Sequence, residues 1–193
     1  GSRGLVRSRG LGDGYKGQGK NSAFVGVRMM GESGIAADAI FTFGAARECS
    51  IDFHTLPAPD VASFKDIDPI PADPNRRGPS FFDNFDRRIA GGALPISGAD
   101  HAEMTMWLRH LEDKVPIDAA ALLAIADAPP PAVLGMYKQP GRLSSMSLMT
   151  EFLTDPITPE DGWFLPHHLG ESTPNSHFSL AQSPCPHTRP TDM

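Results

Sequence analysis

Apolar and polar positions alternate in two neighbouring segments near the start of the chain. In residues 22–30 apolar side chains recur at every second position, which is the period of a strand with one buried face. Residues 31–34 have the length and composition of a hairpin turn, and residues 35–43 form a second apolar run. This pattern predicts a β-hairpin. Residues 1–20 are rich in Gly and Arg without an apolar period, so we expect a disordered segment or a poorly supported opening strand there.

A second region of regular structure lies in the middle of the chain. Residues 101–108 alternate between apolar and polar side chains and predict a strand. Residues 117–126 are apolar at nine of ten positions and follow Pro116, a residue type favoured at helix starts. They predict a helix, and because it is apolar on nearly every side we expect most of its surface to be covered. Residues 143–153 and 162–165 predict two further strands.

Two segments lack this regularity. Residues 54–100 hold little periodicity and several prolines, which is typical of a connection between two folded units. Residues 166–193 are again rich in Pro and poor in aliphatic side chains, so we expect a largely disordered tail. A metal site in such a tail would need ligands held on rigid elements. Exposed side chains are therefore the favoured interpretation of the four tail histidines, His167, His168, His177 and His187.

Composition narrows the possible functions. The 193 residues include 17 Lys and Arg against 23 Asp and Glu, a net charge of −6. Without a basic face, nucleic acid is not an expected partner. No apolar run reaches the roughly 20 residues needed to cross a bilayer, so no membrane span is expected. Cys49 and Cys185 have neither the spacing of metal ligands nor the density of a disulfide framework, which favours a reducing, cytoplasmic location.

One carboxylate stands out as a candidate for chemistry. Asp127 ends the apolar helix, where the helix dipole disfavours a negative charge and burial would raise the pKa of the side chain. A residue placed against both effects is a functional candidate, although a helix-end carboxylate can also simply reach water. Ser144 and Ser145 precede the next predicted strand, and by themselves they are ordinary hydroxyls.

Several ordered segments resemble one known family. The second half of the type II acyl-CoA thioesterases, the double-hotdog family, is similar to WLRHLEDKVPIDAAALLAIADAPPPAVL, SSMSLMTEFLTDP and DGWFL in this chain. The end of the family's first hotdog is similar to GQGKNSAFVGVRMMGESGIAADAIFTFGAAR, and the interdomain connection resembles the stretch ending in FFDNFDRR. The resemblance covers residues 17–165.

This resemblance implies an α+β hotdog fold, in which a curved antiparallel sheet wraps a central helix. The earlier strands and helix of the first hotdog have no counterpart here, so we expect an incomplete double hotdog. Its unpaired sheet edges favour a homo-oligomer joined edge to edge. The implied division is a frayed segment 1–20, the end of a first hotdog 21–53, a connection 54–100, a second hotdog 101–165 and a tail 166–193.

The implied reaction is hydrolysis of a fatty acyl-CoA by an activated water, with no cofactor and no metal. In the family, an Asp near the end of the second helix, a following Thr or Ser and a later Gln orient that water. The Asp corresponds to Asp127 and the hydroxyl to Ser145, with Ser144 as the alternative one place earlier. The Gln has no secure counterpart, because Gln182 lies in a segment without the family's strand pattern. The alternative function is a non-catalytic hotdog remnant that binds acyl groups or a partner subunit.

Overall fold

Seven strands in two antiparallel sheets and one α-helix make up the described part of the chain in the computed structural model. The chain divides into two units, Gly1–His54 and Thr55–Met193, and each unit holds one of the sheets. The structure describes residues 9–11, 21–45, 48, 50–51, 58–70, 79–112, 115–141, 143, 147–152, 160–173 and 176–182.

The first unit contains the predicted hairpin. Strands β2 (Ser22–Gly31) and β3 (Gly34–Gly44) pair antiparallel across a two-residue turn, which confirms the prediction. Gly34 has a φ of 121°, a conformation that L side chains rarely adopt, so the turn depends on glycine at this position. A short strand β1 (Arg9–Leu11) pairs with β2, so this part of the N-terminal segment forms the opening strand that the sequence left as one of two possibilities.

Cross-strand pairing divides the hairpin into two faces. Directly paired residues lie on the same face of a sheet, and neighbours along a strand lie on opposite faces. One face carries the cross-strand ion pair of Arg28 and Asp38, whose closest atoms are 2.8 Å apart. The other face consists entirely of apolar side chains: Ala23, Val25, Val27, Met29, Ala37, Ala39, Phe41 and Phe43.

The second unit contains a four-stranded antiparallel sheet in the order β4-β5-β6-β7. Its strands are β4 (Phe85–Gly92), β5 (Glu103–His110), β6 (His167–Thr173) and β7 (Ser176–Gln182). Strand β5 confirms the strand predicted over residues 101–108. The others correct the sequence analysis, because β4 lies in the expected connection and β6 and β7 lie in the expected tail. Strands β4 and β6 both pair with β5, and β6 is distant from β5 in sequence, whereas β7 pairs with β6, its neighbour along the chain.

Strand β4 contains a β-bulge. Ile89 pairs with Met106 and Gly91 with the next residue of β5, Thr105, so Ala90 is an extra residue on the β4 side. Gly92 follows the bulge with a φ of 78°, and a Cβ there would overlap the backbone of β5. The bulge and this glycine together allow β4 to continue alongside β5.

Helix α1 (Ala119–Asp127) confirms the predicted helix, with its start shifted by two residues. Asp118 caps it, because its carboxylate accepts hydrogen bonds from the backbone N–H groups of Ala120 and Ala121, each at 3.0 Å. The expectation that most of the helix surface is covered was wrong. The buried residues Ala121 and Ile125 lie on one face, while Ala119, Ala120 and Ala124 are exposed, because the sheet of this unit covers a single side of the helix.

The sheet of the second unit supports a core on each face. On one face Met104, Met106 and Leu108 of β5 pack with Ile125 of α1. On the other face the core consists of Phe64, Trp107, Trp163 and Leu165. The strand predicted over residues 143–153 is not present in its described residues, and 162–165 contributes one isolated bridge, between Phe164 and Leu108.

One described segment is long and apolar enough in composition to cross a membrane, residues 119–136. It is not a continuous α-helix. Helix α1 has nine residues, prolines follow it, and a 3-10 helix occupies Ala132–Met136. Ile125, Ala132 and Val133 within the segment are at most 2% exposed, so its apolar character serves the core of the second unit.

Candidate functional site

Asp127 is the last residue of α1 and is exposed, whereas Ile125 and Ala128 on either side of it are buried. Packing of these neighbours fixes the end of the helix against the sheet. Earlier in the same helix, the backbone carbonyl oxygen of Ala121 accepts a hydrogen bond from Nε2 of His110, a residue of β5, over 3.2 Å. The carboxylate of Asp127 therefore lies at the end of a helix that packs on the core and is accessible to water, which is the second of the two possibilities that its position in the sequence left open.

The other predicted site residues have different outcomes. Ser144 and Ser145 lie outside the described residues, so the structure does not place either hydroxyl beside Asp127. Gln182 ends β7, and its backbone pairs with His167 of β6. The segment that ends at Gln182 thus forms a strand, which corrects the expectation of a disordered tail at residues 176–182.

Two of the tail histidines are buried, contrary to the expectation of exposure. His167 and His168 are 8% and 5% exposed because β6 pairs with β5. His167 Nδ1 is 2.7 Å from the hydroxyl of Thr105, and the two share a hydrogen bond. His168 Nε2 has no hydrogen-bond partner among the described residues. Burial, with a smaller contribution from the charge of His167, lowers the pKa of His168 from 6.5 to about 4.

A cleft on the second unit was not anticipated from the sequence. It has a volume of about 540 Å³ and two arginines, Arg88 and Arg109, face the ring of Trp163 inside it. The local sequence signal is limited to Asp86 and Arg88, which are two positions apart in β4 and so place two charged side chains on one face of the strand. It was missed because β4 lay within the expected connection. The cleft is lined by Phe64, Lys65, Arg88, Arg109, Asp161 and Trp163.

The described residues include no group of three or more His, Cys, Asp or Glu side chains arranged to hold a metal ion. The buried His167 and His168 are adjacent on one strand, where successive side chains point to opposite faces. They therefore do not converge on one point.

Comparison with known proteins identifies the second unit. Residues 64–168, more than half of the chain, match the family described as acyl-CoA thioesterase C-terminal domain. A comparison with curated protein sequences finds no match. Among solved structures, a provisionally assigned thioesterase from Novosphingobium aromaticivorans is similar at 21% identity with a TM-score of 0.54, over 86% of this chain and 60% of that one.

The matched residues contain β4, β5 and α1, the elements that carry Asp127, His110 and the two arginines of the cleft. The structural similarity supports the fold, and it confirms the predicted α+β hotdog class. The chain spans 60% of the length of the Novosphingobium structure. On the family match over residues 64–168, the chain belongs to the acyl-CoA thioesterase family through its C-terminal domain.

Proposed function

We propose that this chain hydrolyses fatty acyl-CoA to a free fatty acid and CoA, using a water molecule activated by Asp127. The observation that carries the proposal is the position of Asp127 within the region that matches the thioesterase domain. Its carboxylate is exposed at the end of a helix that is anchored in the core, so a water molecule and a substrate can both reach it. General-base catalysis requires such access.

In the proposed reaction the Asp127 carboxylate accepts a proton from water as the water oxygen attacks the thioester carbonyl carbon. The carbonyl oxygen takes up the negative charge of the tetrahedral intermediate, where hydrogen-bond donors would stabilise it. The carbon–sulfur bond then breaks, and the proton passes to the CoA sulfur. The hydroxyl of Ser145, or of Ser144 one place earlier, is our candidate for orienting the water.

The test is thiol release from acyl-CoA substrates of increasing chain length, with wild type compared with Asp127→Asn. The substitution keeps the side-chain size and removes the base, so we expect turnover to fall by about 10²–10⁴-fold. Asp68→Asn is the matched control, because Asp68 is an exposed acid in the same unit and lies outside helix α1. Its turnover should equal that of wild type.

Two results would contradict the proposal. Equal turnover in wild type and Asp127→Asn would remove Asp127 from the mechanism. Absence of turnover in folded wild type with every chain length would instead favour the second candidate, a non-catalytic domain that binds acyl groups or a partner subunit. Ala119, Ala120 and Ala124 on the exposed side of α1 favour that candidate, because they offer apolar surface to an acyl group or a partner.

We also propose that the protein acts in the cytoplasm and forms a homo-oligomer through its sheet edges. The support for the location is the absence of a disulfide framework in a sequence with two cysteines. The support for edge pairing is the outer strand β3, which is 11 residues long and largely apolar. Cell fractionation with an antibody to the protein tests the location, and the mass in solution of a variant in β3 tests the edge pairing.

A further inference from the structure

The cleft lies on the face of the second unit's sheet that points away from α1. Met106 and Leu108 of β5 pack against the helix side, and Trp107 between them packs on the other side with Trp163. This follows from the alternation of side chains along a strand. The cleft is therefore separate from Asp127, whose helix packs on the opposite face.

Aromatic rings hold the two arginines of the cleft in place. Trp163 is 2% exposed and stacks on Phe64, with ring centroids 5.0 Å apart. The guanidinium carbons of Arg88 and Arg109 lie 4.7 Å and 4.9 Å from the centre of the Trp163 ring. A cation is attracted to the face of an indole ring, so both side chains are ordered at the cleft before any ligand binds.

The positive charge of this pair is only partly balanced. Both arginines approach the same oxygen of Asp86, with Nη2 of Arg88 at 3.7 Å and Nη2 of Arg109 at 3.2 Å. Arg88 Nη1 also donates to the backbone oxygens of Phe64 and Ile67. The buried Nε atoms of both arginines have no hydrogen-bond partner among the described residues. One carboxylate thus faces two guanidinium groups whose donors are not all used.

The remaining wall of the cleft contributes one further charge of each sign. Lys65 adds a third cationic side chain, and its ammonium lies 5.3 Å from the Phe64 ring centre. Asp161 is the one carboxylate among the lining residues, and it is exposed in a left-handed turn with a φ of 50°. Gly162, with a φ of 77°, continues the turn beside the aliphatic part of Arg109.

We propose that this cleft binds a phosphate group. Arginine recognises phosphate through parallel charge-assisted hydrogen bonds, and a phosphate brings negative charge to a site where two guanidinium groups share the one carboxylate of Asp86. The group could belong to free phosphate or to a larger molecule such as CoA. The site does not depend on the proposed hydrolysis, because the arginines lie on the sheet face opposite α1.

Binding is tested by calorimetric titration of the full chain with inorganic phosphate and, separately, with CoA. Tryptophan fluorescence gives a second readout, because both tryptophans of the chain, Trp107 and Trp163, belong to this aromatic cluster. We expect saturable binding to wild type. Arg109→Gln should bind about tenfold more weakly or worse, since it removes a charge-assisted hydrogen bond.

Two further variants make the test independent of any loss of folding. Asp161→Asn removes the negative charge of the rim and keeps a residue type that tolerates the left-handed turn, so it should bind phosphate several-fold more tightly. Arg28→Gln removes the same charge as Arg109→Gln but lies in the other unit, and its affinity should equal that of wild type.

A third probe, phosphate-free pantetheine, separates the two sources of phosphate. Tighter binding of CoA than of phosphate, without binding of pantetheine, identifies CoA; equal binding of CoA and phosphate identifies a general phosphate site. The proposal is overturned if wild type binds neither phosphate nor CoA, if folded Arg109→Gln retains wild-type affinity, or if Asp161→Asn fails to tighten binding. None of the three probes is a thioester, so a failure of the thioesterase proposal leaves these outcomes unchanged.

Discussion

His168 makes the second unit sensitive to acid. Its ring is buried in β6 and its Nε2 has no partner among the residues that the structure describes, so the neutral form is favoured and the pKa falls to about 4. In the unfolded chain the pKa returns to about 6.5. Between these two values the unfolded state binds the proton more readily, so stability is complete above pH 6.5 and decreases as the pH falls toward 4.

This gives a prediction for His168→Leu. Wild type should lose up to about 3 kcal/mol of unfolding free energy between pH 6.5 and 4 from this one group. The variant lacks the titrating ring and should lose correspondingly less over the same interval. Urea unfolding at a series of pH values measures how the unfolding free energy of each protein depends on pH. His101→Gln is the control for the loss of an exposed histidine. An identical pH dependence of the unfolding free energy in wild type and His168→Leu would contradict the role of His168 in this acid sensitivity.

Asp127 provides a second prediction on single residues, because its position opposes the helix dipole. Removal of a negative charge from the end of a helix stabilises it by about 0.3–1 kcal/mol. Asp127→Asn should therefore raise the unfolding free energy slightly, in the same variant whose turnover is expected to fall. Urea unfolding followed by circular dichroism measures this change, and Asp68→Asn should leave it unchanged. A destabilised Asp127→Asn would indicate a structural role for the carboxylate.

Among the elements, helix α1 depends on its cap. Its nine residues are few for a stable helix, and Asp118 satisfies two N–H groups that have no partner within the helix. Asp118→Ala should cost about 1 kcal/mol of unfolding free energy, whereas Asp118→Asn, which retains a capping oxygen, should cost much less. Equal losses in the two variants, measured by urea unfolding, would mean that the cap does not support the helix.

Elements with a regular local sequence pattern were predictable, and elements that depend on contacts with distant segments were not. The hairpin and α1 are defined by periodicity within short windows, so the sequence is sufficient for both. Strand β4 was missed because Asp86 and Arg88 make it look like a loop, and their charges are accommodated by Arg109, Trp163 and backbone oxygens from segments distant in sequence. Strand β6 was missed for a similar reason, since its two histidines become buried when β6 pairs with β5, which is distant in sequence.

The candidate site was less predictable than the fold. Asp127 could be selected from its position at a helix end, although its exposure could not. The cleft combines residues 64, 65, 88, 109, 161 and 163, which come together only in the folded unit. A single sequence carries no signal that relates such separated positions, so the cleft emerged only from the structure.

For the whole molecule, the proposed self-association depends on the outer strand of the first unit. Strand β3 is the outer strand of its sheet as described, and Ile40 on it is 79% exposed. Ile40→Lys should weaken edge-to-edge association, because a charge on an outer strand opposes pairing. Light scattering during gel filtration over a concentration series measures the mass. Leu94→Lys, in an exposed loop of the other unit, adds the same charge and should behave as wild type. Equal masses for both variants and wild type would contradict this pairing.

The bulge in β4 also affects how the chain can change in length. The loss of one residue from an ordinary strand turns every side chain beyond it to the other face. In β4 such a loss can be absorbed by straightening the bulge at Ala90, which leaves Phe85 facing the helix and Asp86 facing the cleft. Strand β5 has no such spare residue. We therefore expect related sequences to differ in length at β4 and to keep the spacing within β5 constant.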